Sequence, residues 1–290
     1  MEGKIEDLMN MCFYTNEIDE ITSMPNDTKA KIPVDWNLME IENDKKSGFV
    51  GAVYKKNDSV AIVIKGSDFV HLISGIKDYV GTNLAFVLGK QPIQYEPAKN
   101  FYNSIKQKYG KDNKIMLVGS SLGGGLAQYL GAMDVCKDKI ITFSPVGTGR
   151  SVKKDLNNNV NKDFSNIYNF VVDKDFVANF VPQNGNVHYI IGPEHPNEST
   201  WHRKLRSMVD WSEYHRVSMI KDYTPKEVLN SSVDNIDKVF DKKTPSKLDI
   251  FDLPKNAPFK VFQLPTNPVK TINKPQVYNN MSNNPIRLNH

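Results

Sequence analysis

The chain has 290 residues, of which 39% are hydrophobic and 24% charged, and its formal net charge is +4. This composition suits one sizeable α/β domain, alone or with a tail, and no run reaches the ~18 apolar residues of a membrane-spanning helix. Two cysteines, Cys12 and Cys136, are too few for a disulfide framework, and no Cys/His spacing predicts a zinc site. We therefore expect neither a metal nor another cofactor.

The positive charge is concentrated after residue 240. There, eight lysines and arginines stand against three acidic residues, and seven of the sixteen prolines fall in the same stretch. We interpret residues 241–290 as an extended or disordered tail that binds a protein partner or makes peripheral contact with an anionic membrane. The body, residues 1–240, is nearly neutral and has no basic face, so we expect no nucleic acid partner.

The first residues are acidic and lack an apolar segment, which is not the pattern of a secretory signal peptide. We expect a cytoplasmic location, or export by a route that does not need a signal peptide.

Periodicity along the chain predicts alternating helices and strands. Helices are expected over 5–21, 98–109 and 122–135, a β-hairpin over 47–64, and strands over 114–118, 140–143, 167–172 and 187–191. The alternation predicts an α/β fold with a mostly parallel central sheet, an antiparallel N-terminal hairpin and flanking helices. Residues 147–165 are polar and predict a loop. The apolar, glycine-interrupted stretch 69–90 favours either a core helix or a lid over a substrate.

A Gly-x-Ser-x-Gly pentapeptide, Gly119 to Gly123, lies between an apolar run and a helix-forming run. This placement is typical of the nucleophile elbow of serine hydrolases, where a strand turns sharply into a helix. Glycines are needed two positions before and after the serine, because side chains there would collide with neighbouring backbone. The pattern predicts Ser121 as a nucleophile, although a glycine-rich turn without chemistry would have the same sequence.

A serine nucleophile needs a histidine base, and the histidine needs a carboxylate that fixes its tautomer. In α/β-hydrolases these follow in the order serine, acid, histidine. Asp173 and Asp175 both follow the predicted strand 167–172 and qualify as the acid. Five histidines lie beyond them: His188, His195, His202, His215 and His290. His215 fits the order best, since it opens a helical pattern after the last strand, and His195 and His202 remain alternatives.

Four spaced motifs resemble those of the class 3 (fungal-type) lipases of the α/β-hydrolase superfamily. Ile64-Lys65-Gly66-Ser67 is similar to a strand ending in Arg-Gly-Ser/Thr, and Val118 to Gly124 is similar to a Gly-His-Ser-Leu-Gly-Gly elbow. Thr142 to Pro145 is similar to a Phe-Gly-x-Pro strand end, and Asp175 to Val177 to an Asp-x-Val acid motif. The resemblance covers residues 1–225 and does not extend to the tail.

The resemblance implies a role for each of five residues. Ser121 would be the nucleophile, Asp175 the acid in preference to Asp173, and His215 the base. Ser67 and the Leu122 N–H would form the oxyanion hole. Ser120 stands where the family has histidine and Lys65 where it has arginine. These departures, with the missing disulfide framework, make the chain more similar to intracellular bacterial lipase-like members.

The activity that the resemblance implies is hydrolysis of carboxylic esters of acyl lipids, of lipase or phospholipase A type, through an acyl-enzyme. A thioesterase or short-chain esterase on the same scaffold is one alternative. Another is a lipase-like effector, toxin or binding module delivered through the tail.

Overall fold

A computed structural model describes residues 1–18, 31–66, 90–157, 163–192, 215 and 217–240. Its centre is a seven-stranded sheet in the order β1 to β7. The strands are β1 (Asn37–Asp44), β2 (Phe49–Lys56), β3 (Ser59–Ile64), β4 (Lys114–Ser120), β5 (Lys139–Phe143), β6 (Ile167–Val172) and β7 (Asn186–Ile190). β1, β2 and β3 pair antiparallel, and every pairing from β3 to β7 is parallel.

Helices cover both faces of the sheet. They are α1 (Ile5–Asn16), α2 (Tyr95–Tyr109), α3 (Ser121–Ala132), α4 (Gly149–Asp155), α5 (Phe176–Phe180), α6 (Val217–Tyr223), α7 (Lys226–Leu229) and α8 (Ile236–Phe240), and a 3-10 turn (Val233–Asn235) precedes the last. Alternate residues of a strand point to opposite faces. In β4, Met116 and Val118 pack with α1 and the C-terminal helices, whereas Ile115 and Leu117 pack with α2 and α3.

The predicted α/β fold, with a mostly parallel sheet behind an antiparallel hairpin, is confirmed. The hairpin consists of β2 and β3, as expected from the two apolar runs between residues 47 and 64. Several short elements were not predicted, among them a strand and a helix before the acid turn. Strand β1 has mostly exposed or half-buried side chains and a register shift between Leu38 and Glu40, so its sequence lacks an apolar run. Helix α4 is only seven residues long and lies where the polar sequence predicted a loop.

Two predicted features cannot be compared with the structure. The predicted tail, residues 241–290, and nearly all of the apolar segment 69–90 lie outside the described residues. The chain divides into two compact units, Met1–Phe251 and Asp252–His290, and every described residue belongs to the first. None of the helices in the described ranges is long and apolar enough to cross a bilayer.

The parallel strands β3 to β7 bring their carboxyl ends to one edge of the sheet, where α/β proteins bind their ligands. β3 leads there into Lys65 and Gly66, β4 into Ser121, and β6 into the turn that contains Asp173 and Asp175. Three candidates of the sequence analysis, Ser121, Asp173 and Asp175, therefore lie at this edge.

Close backbone packing at this edge predicts that Gly123 tolerates no side chain. A Cβ there would meet the carbonyl oxygens of Ile64 and Lys65, the latter at 2.6 Å. We expect Gly123→Ala to lower the free energy of unfolding by roughly 3 kcal/mol, the upper end for overpacking, and the Tm by about 6–12 °C.

Gly131→Ala, on the same helix, is the matched control for thermal unfolding. A Cβ there meets the Cδ1 atom of Ile140, which is the tip of a flexible side chain. It should lower the Tm much less. Equal losses in the two variants would contradict the role given to the backbone contact.

Candidate active site

The nucleophile elbow is built from the end of β4 and the start of α3. Ser121, the first residue of α3, has a φ of 52°, in the left-handed region that non-glycine residues rarely adopt. A Cβ on Gly119 would lie 2.5 Å from the carbonyl group of Gly123. The two glycines of the pentapeptide therefore allow the sharp turn by removing the side chains that would block it, as their spacing predicts.

Ser121, His215 and Asp175 form a continuous hydrogen-bonded chain. Ser121 Oγ lies 2.7 Å from His215 Nε2, and His215 Nδ1 lies 2.9 Å from Asp175 Oδ2 and 3.0 Å from Oδ1. A carboxylate can only accept, so Nδ1 carries the proton and Nε2 is left to accept the hydrogen bond of the serine hydroxyl. The three side chains predicted as nucleophile, base and acid are thus brought together in the order that proton transfer needs.

The Asp175 carboxylate is held rigidly beneath the histidine. Asp175 is fully buried and is the N-cap residue of α5, and its Oδ1 accepts a hydrogen bond from Ala178 N at 3.1 Å. The Asn179 side chain donates to the Asp175 carbonyl at 2.7 Å and to the Val172 carbonyl at 3.1 Å. His215 is itself only 9% exposed. Burial of this pair excludes water that would otherwise compete for the hydrogen bonds.

Asp173, the other candidate acid, has a different environment. Its Oδ1 accepts a hydrogen bond from Gly192 N at 2.8 Å, and its backbone N–H donates to the Ile190 carbonyl at 2.9 Å. Burial raises the pKa of the Asp173 carboxyl above its ordinary value. Asp173 therefore ties the end of β6 to the end of β7, while Asp175 faces His215.

The remaining candidates are placed as follows. His188 lies in β7, and its half-buried ring packs against those of Phe170 and Phe240, each at 5.6 Å between centroids, so it has a packing role. Leu122 is the second residue of α3, and its N–H is one of the first four of the helix, which have no intrahelical acceptor. Ser67, His195, His202 and His290 lie outside the described residues, and the oxyanion role of Ser67 stays a prediction.

A buried polar network, which the sequence analysis missed, connects the nucleophile helix to the acid turn. Gln128 of α3 donates to Gln183 Oε1 at 2.6 Å, and Gln183 Nε2 donates to the carbonyls of Ala178 and Pro145. Gln128 Oε1 in turn accepts from Asn184 N at 3.1 Å. Such a network has few alternative arrangements, since each broken bond would leave a buried polar group unsatisfied. It fixes α3 relative to the turn that presents Asp175.

Within the described ranges, no group of three or more His, Cys, Asp or Glu side chains is arranged to hold a metal ion. The Ser121–His215–Asp175 arrangement is one that can support nucleophilic catalysis by serine.

The buried Asp173 carboxyl gives a stability prediction with a definite sign. Its pKa in the folded state is raised, so the fold keeps this proton to a higher pH than the unfolded chain does. Stability is then lost as the pH rises from the ordinary aspartate value, near 3.8, through the raised value. Asp173→Asn mimics the protonated acid, so the Tm of the variant minus that of the wild type should grow between about pH 4 and pH 7.

Thermal unfolding across this pH range checks the prediction. Asp112→Asn, at an exposed position, is the control and should show no such trend. A difference for Asp173→Asn that stays constant or shrinks with rising pH would contradict it.

Several solved structures and one family model are similar to parts of this chain. Solved structures that resemble it include lipase II from Rhizopus niveus, at 15% identity over 64% of this chain and 79% of that one, with a TM-score of 0.44. The lipase from Rhizopus microsporus var. chinensis matches at 14% identity over 74% and 84%, with a TM-score of 0.43. The triacylglyceride lipase of Rhizomucor miehei matches at 14% identity over 64% and 78%, also with a TM-score of 0.43. No curated protein sequence matches the chain.

The family comparison covers most of the described domain. The model of the Tle-like phospholipase domain, a phospholipase-like family, matches residues 18–192. That range contains the elbow, the predicted acid and every strand of the sheet. The chain belongs to the phospholipase-like family defined by the Tle-like phospholipase domain.

Proposed function

We propose that the protein hydrolyses the acyl ester bonds of phospholipids through a Ser121–His215–Asp175 triad and an acyl-enzyme. The observation that carries the proposal is the hydrogen-bonded chain from Ser121 through His215 to the buried Asp175, on a strained elbow. Membership of the Tle-like phospholipase family makes the chain a lipid-ester hydrolase of lipase or phospholipase type. The choice of phospholipids over glycerides follows the family and is part of the proposal.

In the first half-reaction, Ser121 Oγ attacks the acyl carbonyl carbon while His215 Nε2 removes the hydroxyl proton. Asp175 accepts the Nδ1–H hydrogen bond throughout and stabilises the imidazolium. As the tetrahedral intermediate collapses, His215 gives its proton to the departing alcohol oxygen, and the acyl group stays on Ser121. A water molecule, deprotonated by His215, then releases the fatty acid and restores the serine.

The negative charge of the tetrahedral intermediate develops beside the N-terminus of α3. The Leu122 N–H belongs to the first turn of that helix and has no acceptor within it, so it is suited to stabilise the oxyanion. The second donor in this proposal is Ser67. Loss of one such donor typically costs ~10²–10³ in kcat.

Substitutions of the three residues test the mechanism on phospholipid vesicles, with released fatty acid as the readout. We expect Ser121→Ala, His215→Asn and Asp175→Asn each to lower kcat by ~10⁴-fold or more, because triad members act as a unit. Combining two of them should cost little more than one, for the same reason.

Neighbouring residues supply matched controls. The kcat of Ser120→Ala should fall by less than about 10-fold. Asp173→Asn and His202→Ala should each retain most of the activity, since each triad role belongs to another residue. Full activity in Ser121→Ala, or a large loss in His202→Ala alone, would refute the assignment. Hydrolysis confined to short soluble esters or acyl thioesters would favour the alternative activity, that of a short-chain esterase or thioesterase on the same scaffold.

A further inference from the structure

Asn16, the last residue of α1, connects the ends of two neighbouring strands at the catalytic edge. Its Oδ1 accepts a hydrogen bond from Gly66 N at 2.9 Å, and its Nδ2 donates to Ser120 Oγ at 3.3 Å. A backbone N–H requires an acceptor, so the amide oxygen must face Gly66, and the orientation of the amide is fixed by the network. Gly66 follows β3, and Ser120 immediately precedes the nucleophile.

The Gly66 backbone lies against the nucleophile elbow. A Cβ on Gly66 would be 2.9 Å from the Ser120 carbonyl oxygen and 3.2 Å from Ser121 Cβ. Any displacement of this peptide therefore changes its distance from the nucleophile directly. Residue 67, the predicted oxyanion donor, is the next residue along the chain.

Asn16 supplies a hydrogen bond that the sheet does not provide. The last sheet-like bond of this segment runs from Lys65 N to the Val50 carbonyl at 3.0 Å, so Gly66 is the first residue beyond the ladder. The Gly66 N–H, which could otherwise turn toward an oxyanion, is committed to Asn16. Among the described residues at this edge, the Leu122 N–H remains suited to donate to the oxyanion.

Asn16 is well anchored on its own helix. Thr15, the preceding residue, is fully buried and its hydroxyl is 2.8 Å from that of Tyr54 in β2. Cys12, one turn earlier, is also buried. Helix α1 is thus anchored beside the Ser120 hydroxyl, which accepts the hydrogen bond from Asn16.

We propose that Asn16 is a positioning residue for the oxyanion hole: through Gly66 and Ser120, it sets the distance between the segment that leads to residue 67 and the nucleophile. This proposal rests on the proposed function, because it assigns Asn16 a role in that same reaction. Errors of about 1 Å in such positioning can cost ~10²-fold in rate. The effect should appear in kcat, since the oxyanion forms only in the transition state.

Phospholipid hydrolysis by Asn16 variants tests the proposal. Asn16→Leu removes both hydrogen bonds, and we expect kcat to fall by ~10–10²-fold with KM changed less than about threefold. Asn16→Asp keeps an acceptor for Gly66 N, and its other oxygen can accept the Ser120 hydroxyl, so kcat should stay within about fivefold of the wild type. If Asn16→Leu does not fold, Asn16→Ala takes its place with the same expected loss.

Asn10→Leu is the matched control on the same helix. The Asn10 side chain accepts a hydrogen bond from Lys221 at 3.1 Å, so the variant also loses one long-range bond of α1. It should leave kcat within about twofold, because Asn10 bonds to neither strand end. If the two leucine variants lower kcat equally, or Asn16→Asp loses as much as Asn16→Leu, Asn16 is only structural and the proposal is overturned.

A double-mutant cycle with Ser67→Ala tests the route of the effect. If Asn16 acts by positioning residue 67, Asn16→Leu should cost less than about threefold in the Ser67→Ala background. If Asn16→Leu lowers kcat by the same factor in the Ser67→Ala background as in the wild type, the proposal is overturned. The same holds if Ser67→Ala alone has no effect on kcat. Ser121→Ala is measured alongside. If this variant still hydrolyses phospholipid, the proposed function is refuted. If Ser121→Ala is inactive but Asn16→Leu keeps the kcat of the wild type, only the role of Asn16 is refuted.

Discussion

The catalytic edge depends on close backbone contact between the end of β3 and the nucleophile elbow. Gly123 lies directly against the carbonyls of Ile64 and Lys65, and Gly66 against the carbonyl of Ser120. No side chain fits between these segments, so their separation is set by backbone sterics. If side chains filled this gap, rotamer changes could alter the separation of the two segments. Peptide groups in direct contact leave little freedom for such a change. Ser121, with its strained φ, adjoins this same contact.

Three sets of contacts between elements distant in sequence stabilise this geometry. Helix α1 contributes Asn16 below the strand ends, and the Gln128 network ties α3 to the acid turn. Asp175 is fixed as the cap of α5 and in turn orients His215. These hydrogen bonds are buried or partly buried, so an incorrect arrangement would leave polar groups unsatisfied. The result is a preorganised site, which is the condition for electrostatic stabilisation of an oxyanion.

The features that the sequence predicted are those decided by local chemistry. Strands β3, β4 and β6 are buried along nearly their whole length, and their apolar runs identify them. The elbow was predictable because its sharp turn leaves no room for side chains at two positions, and the glycine spacing indicates those positions. Strand β1 was missed because an exposed edge strand needs no apolar run.

Features that depend on long-range contacts were not visible in the same way. The sequence analysis separated Asp173 from Asp175 through the family resemblance, since both follow one strand. The structure distinguishes them by what each carboxylate faces, Gly192 in one case and His215 in the other. Asn16 forms hydrogen bonds with Gly66 and Ser120, which lie 50 and 104 positions further along the chain, and no local pattern indicates such contacts. An aspartate before a short helix is an N-cap signal that could have indicated Asp175 earlier.

The central claim is that Ser121 is an activated nucleophile, and covalent labelling tests it most directly. The wild-type protein and Ser121→Ala would each be incubated with a fluorophosphonate, a reagent that phosphonylates activated serine hydroxyls. The position of the adduct would be located by peptide mass spectrometry. We expect a single adduct on the peptide that contains Ser121, abolished in Ser121→Ala and strongly slowed in His215→Asn, because the histidine is the base that activates the hydroxyl. An adduct on Ser120, or equal labelling of the wild type and Ser121→Ala, would contradict the account.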